Sequence, residues 1–476
     1  LDVSALTQLK ELDCRDNQLE TLDVSGNPEL ETLICTENPM SEIKVAVGQE
    51  IPQLECPEDT EIVYEWGEGI GPEKFPDEVF CDYVFVNFDT DGDGWISESE
   101  ALAIESIKIV NQNVTSVKGI EYMPNLTVLE CVYTNLQSVD LSNNPHLTIV
   151  NFNSEHEPST STTISWNFHS GGSFKISPQY NNNLTTLDVS SNTELTWLDC
   201  IGNSISSLDL SNNTKLTDLE CAKNNLSSLD VSMLPDLYWL DCHENQIDVL
   251  DVSANPKLFY LYCYQNNLSS LDLSHNPKLN TLGCSSNLLT SLDLSGNPDL
   301  VNLSAGNNRL SNLNVTACPS LVGIYVNDNM LISINVSNNP QLKWLDFSSN
   351  QVSSFDFASC PNLETLRCSS NPLTNFDISA NTKLKELRCS NLQLNSLDIR
   401  DLTLLETLFC DNNYLTELDI TGKTKMTRLD CSPMNDSSGN NLLSKLFVSS
   451  TQQIRGITTN RDATYVPDET EIVVID

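Results

Sequence analysis

Cysteines return on a fixed count along this chain: Cys200, Cys221, Cys242, Cys263 and Cys284 lie 21 residues apart, and Cys368, Cys389, Cys410 and Cys431 repeat the interval. A period of this length means one short unit stacked on copies of itself, because a unit so short buries no apolar face alone. Around each cysteine the unit reads L-x-x-L-x-C-x-x-N-x-L-x-x-L-D-V-S-x-N-P-x, as in LYWLDCHENQIDVLDVSANPK and LKELRCSNLQLNSLDIRDLTL. Between the two runs the slot is kept by Ala305, Val326 and Phe347, so it takes a small or apolar side chain and faces inward. Stacked parallel strands repeat at about 4.8 Å, wider than the ~3.8 Å between Cβ atoms that a disulfide wants. The ladder is therefore expected to be buried free thiols. Zinc-binding cysteines come in local pairs roughly two to four residues apart, and the sequence has none. Cys318 and Cys360 occupy a different slot, that of the Asn in S-x-N-P, and are likewise expected unpaired.

These motifs resemble the leucine-rich repeats of bacterial surface proteins of the internalin class, most closely the internalin J type with its cysteine ladder. The register recurs at residues 14, 35, 56, 109, 131, 152, 179, 200 and onward to 431 and 459, covering nearly the whole chain. The resemblance implies a leucine-rich repeat solenoid of the α/β horseshoe class with a parallel sheet on its concave side. Physical reasoning adds short strands over L-x-C and an Asn that bonds backbone groups of the turn. The convex return is expected as turns or 3₁₀ pieces, since 21 residues leave no room for a long helix.

The repeats are interrupted once. They stop at PEDTEIVYE (57–65), resume near Ile104, and the chain closes on the echo PDETEIVVI (467–475). The same terminating cap used twice divides the chain into 1–66, the last repeats and cap of a first solenoid; 67–106, a helical calcium-binding cap; and 107–476, a second solenoid with its own cap. A single solenoid carrying an inserted module is the rival arrangement. Two irregular stretches, 153–178 with Trp166, Phe168 and His169, and 432–442, are expected to stand off the regular surface as loops.

Residues 89–100, DTDGDGWISESE, match the EF-hand loop D-x-D-x-D-G-x-I-x-x-x-E. Asp89, Asp91 and Asp93 alternate so that one tight loop wraps them on a hard cation, and Gly94 supplies the turn. Trp95 offers its carbonyl, Ser97 acts through water, Glu100 closes the sphere, and Ca2+ is the expected ion. Phe80, Tyr83, Val84 and Phe88 share one face of the entering helix, and SESEALAIES forms the exit helix. With no sister loop, the module reads as an N-terminal cap for the long solenoid rather than a sensor.

A second acidic feature is the Asp of L-D-V-S: Asp188, Asp209, Asp230, Asp251, Asp272 and Asp293, then Asp356, Asp377, Asp398 and Asp419, with Asn314 and Asn335 between. Each side chain is expected to accept backbone N–H groups of the following turn, since Asn does the same without charge. A cation-binding column is the alternative. On the concave face, Trp197, Asp218, Trp239 and Tyr260 form one column, Asp199, Glu220, Asp241 and Tyr262 the next, and Ile201, Ala222, His243 and Tyr264 a third. Tyr325 and Trp344 follow, then a more basic stretch with Arg367, Arg388 and Arg428. Aromatic rings beside carboxylates make Trp197, Asp199, Glu220, Trp239, Asp241, His243, Tyr260, Tyr262 and Tyr264 the expected ligand-binding set. Packing of rings across neighbouring strands is the alternative.

A formal charge of −42, from 24 basic and 66 acidic residues, argues against nucleic acid and anionic membrane surfaces as partners. Hydrophobic residues at 39% suffice for a core, and no apolar run reaches membrane-spanning length. His146, His156, His169, His243 and His275 are scattered without metal spacing, and neither a G-x-S-x-G elbow nor a phosphate loop appears. The expectation is a non-catalytic, monomeric, extracellular or cell-surface adhesin-like protein. It would recognise a host or neighbouring-cell protein or a glycan. A passive envelope spacer is the alternative, and a hydrolase a distant third.

Overall fold

Most described coils are built on a three-residue strand of the main ladder. Trp239–Asp241 is representative: it pairs parallel and in register with Asp218–Glu220 on one side and Tyr260–Tyr262 on the other. Leu240 at its centre is fully buried. The strand thus covers x-L-x and not L-x-C, with the ladder cysteine one residue past its end. Cys242 still donates its N–H to the Tyr262 carbonyl at 2.8 Å, which extends the ladder into the turn. Two residues further on, each coil carries one left-handed residue, such as Lys223, Glu244, Gln265 and Ser286 with φ of 53°, 50°, 54° and 54°. This bend turns the chain out of the sheet and delivers the conserved-in-pattern Asn to the coil interior.

That Asn staples neighbouring coils. Asn245 Nδ2 donates to the Cys221 and Cys242 carbonyls, each at 3.1 Å, while its Oδ1 accepts from Leu226 N at 2.9 Å. The S-x-N-P Asn does half as much: Asn255 Nδ2 donates to Val231 and Leu234 carbonyls at 2.9 and 2.7 Å, but its Oδ1 is buried without a partner among the described residues. Asp230, Asp251, Asp272 and Asp293 each accept the N–H of the Ser two residues on at 2.9 Å. Asn314 and Asn335 accept from Thr316 and Ser337 in the same way. These carboxylates serve as Asx-type turn acceptors, and the Ser bonds hold them below the usual carboxylate range.

The computed structural model describes residues 1–46, 49, 51–65, 69–92, 94–154, 182–431, 443–449 and 470–475. They fall into two compact units, Leu1–Lys215 and Leu216–Asp476. In the first, strands Glu11–Asp13, Thr32–Ile34 and Gln53–Glu55 form one parallel sheet, and Thr21–Asp23, Glu42–Ala46 and Glu61–Glu65 a second. After two short helices, Ser106–Val110, Val128–Val132, Ile149–Asn151 and Trp197–Asp199 pair in sequence order. In the second unit the ladder runs in order from Asp218–Glu220 to Arg428–Asp430. Its side sheet of Glu417–Asp419, Lys445–Ser449 and Glu471–Ile475 mirrors the one that ends at Glu65. Both echoed EIV segments are thus five-residue strands that close a three-stranded side sheet. Convex returns are turns, with 3₁₀ pieces at Ile120–Tyr122 and Phe357–Ser359.

The rung expected at residue 179 needs correction. Ile149–Asn151 pairs directly with Trp197–Asp199, and Phe152 N donates to the Asp199 carbonyl at 2.7 Å, so the ladder steps from Phe152 to Cys200. The Asn of that coil is Asn182, whose Nδ2 donates to the Cys131 and Phe152 carbonyls at 2.7 and 3.1 Å. Elsewhere three residues separate ladder and Asn; here the separation is 30. Among the described residues the rungs thus pass directly from Phe152 to Cys200. Residues 155–181, with Trp166, Phe168 and His169, lie outside the described residues, as do 432–442 and 459.

Among the described residues all sixteen cysteines are free thiols, and those of the ladder proper from Cys131 to Cys431 are buried. Burial pushes the thiols of Cys284 and Cys431 up to about 12, and those of Cys318 and Cys360 up to about 11. Cys318 sits in the Asn slot as expected, and its Sγ reaches the Leu294 carbonyl at 3.5 Å.

Candidate functional sites in the acidic loop and on the strands

The acidic loop joins helix α1, Glu78–Phe88, to α2, Glu98–Ala103. Asp77 caps α1 through Phe80 N at 2.9 Å, and its other oxygen accepts from Thr115 N and Oγ1, both at 2.7 Å. One buried carboxylate therefore ties the helix to the first coil that follows. Phe80 and Val84 are fully buried, and Tyr83 packs edge-on against Phe88 with centroids 6.0 Å apart. Gly92 and Gly94 have φ of 73° and 85°, the left-handed bends a tight loop requires. Their N–H groups donate to Asp89 Oδ1 and Oδ2 at 2.8 and 3.0 Å.

Carboxylate oxygens of Asp89, Asp91 and Glu100 all lie within 4.8 Å of one another. Burial alone would raise the Glu100 carboxyl, but bonds from Thr90 and Ser97 hold it down at about 2. Carboxylate oxygens from three side chains brought this close together are the kind of donor set a hard cation takes. Trp95 is 41% exposed, Ser97 caps α2, and Asp93 lies outside the described residues. Ile96, the residue that in a paired EF-hand meets a sister loop, instead bridges Ile70 through N–H···O bonds of 2.9 and 3.0 Å. The segment before α1 thus supplies the missing strand partner, a role the sequence pattern does not announce.

Of the nine residues expected to contact a ligand, Trp197 and Asp199 belong to the first unit. Trp197 is half-buried and sits in register with Ile149. Asp199 is 3% exposed and is held by Asn153 Nδ2 at 2.8 Å and Ile201 N at 3.1 Å. It serves as an internal acceptor among the described residues. Ile201 is buried too.

The other seven lie in the second unit. Trp239 stands 4.5 Å from the Tyr260 ring and 5.6 Å from that of Tyr262. Tyr262 is buried: it lies over Gly283, whose missing Cβ would come within 3.0 Å of the tyrosine ring. His243 is buried as well, stacked on Tyr264 at 4.2 Å with Nδ1 2.5 Å from Asp241 Oδ1. Asp241, His243 and Tyr262 therefore form the floor of the patch rather than its exposed surface. Glu220, Trp239, Tyr260 and Tyr264 remain partly open.

Two rings escaped the column reading. Tyr238, 41% exposed, stacks on Phe259 at 5.0 Å and 13°, and meets Tyr260 edge-on at 5.8 Å. They precede the strands by one residue, and the paired aromatics Tyr238-Trp239 and Phe259-Tyr260 were the available signal. Asp218 flanks the group; burial raises its carboxyl, and Thr217 Oγ1 donates to it at 2.6 Å. The Trp239 indole N–H is buried with no hydrogen-bond partner among the described residues, an unmet donor of the kind that costs about 1–3 kcal/mol.

Coil, ladder and staples together define a leucine-rich repeat solenoid. A family model described as leucine-rich repeats (2 copies) matches residues 340–381. Internalin J of Listeria monocytogenes serotype 4b (strain F2365) is 34% identical over 70 residues, 15% of this chain and 8% of that protein's length. Among solved structures, the functional domain of InlJ from Listeria monocytogenes, which includes a cysteine ladder, is 29% identical with a TM-score of 0.62. That likeness covers 80% of this chain and 76% of the other. YopM from Yersinia enterocolitica, 22% identical, shares the fold over 98% of this chain and 92% of its own, with a TM-score of 0.57. The structure is a leucine-rich repeat solenoid similar to the InlJ cysteine-ladder domain and, over a short stretch of sequence, to Internalin J.

Proposed function

We propose that this chain is a non-catalytic binding protein of the bacterial surface or its surroundings, recognising a protein partner through the strands from Asp218 to Tyr264. The observation that carries this reading is the row of mutually packed, partly open rings, Tyr238, Trp239, Phe259 and Tyr260, beside Asp218 and Glu220. Rings already packed on one another lose little freedom on binding and offer large contact area, the character of interface anchors. They form a row along successive strands rather than a closed pocket, which suits the face of a macromolecule. An acidic flank would steer a basic partner.

In this reading the acidic loop holds Ca2+ through Asp89, Asp91, Asp93, Trp95, Ser97 and Glu100, and its role is structural. It fastens the helical cap of 67–106 at the head of the repeats of 107–476, while 1–66 ends a preceding solenoid. The ion would screen carboxylates that otherwise repel at close range.

The test is a binding screen of the whole chain against purified host and neighbouring-cell surface proteins, with Trp239→Ala and Tyr238→Ala in parallel. Each truncation should weaken a true partner by about 2 kcal/mol, roughly thirtyfold. Partners that bind both variants as tightly as the parent would overturn the assignment. A glycan that binds in their place would show that the rings stack on sugar faces instead.

A further inference from the structure

The concave strands of the second unit change character about five strands beyond the ring cluster. Register places Tyr325, Asp346, Arg367, Arg388 and Phe409 in one column, with Trp344 and Glu386 in the column beside it. Two arginines thus stand on adjacent strands, where like charges at about 4.8 Å repel unless a counter-ion holds them. Glu386 is that counter-ion: its Oε1 accepts from Arg367 Nε at 2.9 Å and from Arg388 Nε at 2.6 Å.

The way the bonds are shared matters. Both guanidiniums spend their inner Nε–H on the same carboxylate oxygen. The Arg388 side chain is 40% exposed, its Cζ lies 4.6 Å over the Phe409 ring, and its Nη groups make no hydrogen bond among the described residues. Arg367, 24% exposed, has its Nη1 only 3.9 Å from Asp346 Oδ2, an ion pair too long for a hydrogen bond. Glu386 and Phe409 therefore fix two planar forks while leaving their outer donors unspent. A pre-oriented guanidinium with free outer N–H groups is the geometry that takes a carboxylate bidentately.

On a chain of formal charge −42, this is a place where the strands hold two guanidiniums whose outer donors stay open beside the carboxylates Asp346 and Glu386. We propose that Arg367 and Arg388 form an anion-accepting anchor for a carboxylate side chain on the protein partner. The proposal rests on the reading of the strands as a protein-binding face. The ring cluster with Asp218 and Glu220 favours a cationic region of that partner. The arginine pair demands an acidic one about 24 Å further along, five strand spacings at about 4.8 Å. Opposite charges at a set separation fix register and orientation, which rings alone do not.

The probe is an N-acetylated hexaglutamate amide, with hexaglutamine amide as control, titrated into the whole chain while the arginine Nε–H resonances are followed by NMR. Hexaglutamate should shift the Arg367 and Arg388 signals saturably, and hexaglutamine should not. Arg388→Lys, which keeps the charge but loses the fork, and Arg367→Gln should each weaken binding at least tenfold with an unchanged melting temperature. Trp239→Ala should leave hexaglutamate binding intact, so loss of the ring site and loss of the arginine anchor are separable. Equal response to both peptides, or unaltered affinity in Arg388→Lys, overturns the proposal. Saturable shifts with sodium glucuronate and none with hexaglutamate overturn its assignment to a protein.

Discussion

Replacing the two repeating asparagines separately should cost very different amounts. Asn266 spends every polar atom: Nδ2 donates to the Cys242, Cys263 and Tyr264 carbonyls at 3.0, 3.2 and 3.4 Å, and Oδ1 accepts from Ile247 N at 3.0 Å. Asn266→Leu orphans one buried N–H and at least two carbonyls, at about 1–3 kcal/mol each, and is expected to cost about 3–5 kcal/mol. Asn255→Leu orphans the Val231 and Leu234 carbonyls but also removes an Oδ1 that has no partner, so one penalty offsets another. The expected loss is about 1–2 kcal/mol. Leu234 and Leu402 occupy the same slot and are buried, so the coil accommodates that side chain. Urea unfolding of each variant, compared at constant m-value, reads the difference directly. Equal losses, or a larger one for Asn255→Leu, would refute the view that hydrogen-bond satisfaction sets the hierarchy between the two columns.

If the acidic loop holds Ca2+ with micromolar affinity, millimolar calcium should stabilise the chain by about 4 kcal/mol; a calorimetric melt should show the increment, and Asp89→Ala should abolish it. Superimposable melts with calcium and with chelator would contradict that role. The ladder thiols are raised by burial, Cys284 to about 12, whereas unfolded thiols ionise near about 8.5. Stability should therefore be intact below that pH and fall as pH rises from about 9 towards 12; a flat denaturation midpoint across this range would argue against protonated, buried thiols. Maleimide labelling at neutral pH should be slow for the folded chain and fast in denaturant.

Most of the architecture was legible because a repeat states its own register. The ladder slot, the free thiols, the turn-capping aspartates and the twice-used closing strand all follow from spacing. Where spacing failed, a local substitution was decisive. Phe152 continues the ladder, but its Asn is displaced to Asn182, and nothing in the count shows that the next rung is Cys200. Ile70 takes the place of a sister loop through backbone bonds, which carry no side-chain signature. On the strands, alternation identified the columns but not their depth. Tyr262 is buried because Gly283 on the next strand leaves room for its ring, and His243 because Tyr264 covers it. Tyr238 and Phe259 were overlooked because they fall one residue before the strand, where alternation no longer applies.

The recognition surface is tested most directly by amide hydrogen exchange of the whole chain with and without a partner from the binding screen. Binding through the concave rings should slow exchange in 238–242 and 259–263, with the arginine strands at 365–368 and 386–389 protected in the same complex. Protection confined to the convex turns, or to segments next to residues 155–181, with no change across 238–263, would contradict recognition by the concave strands.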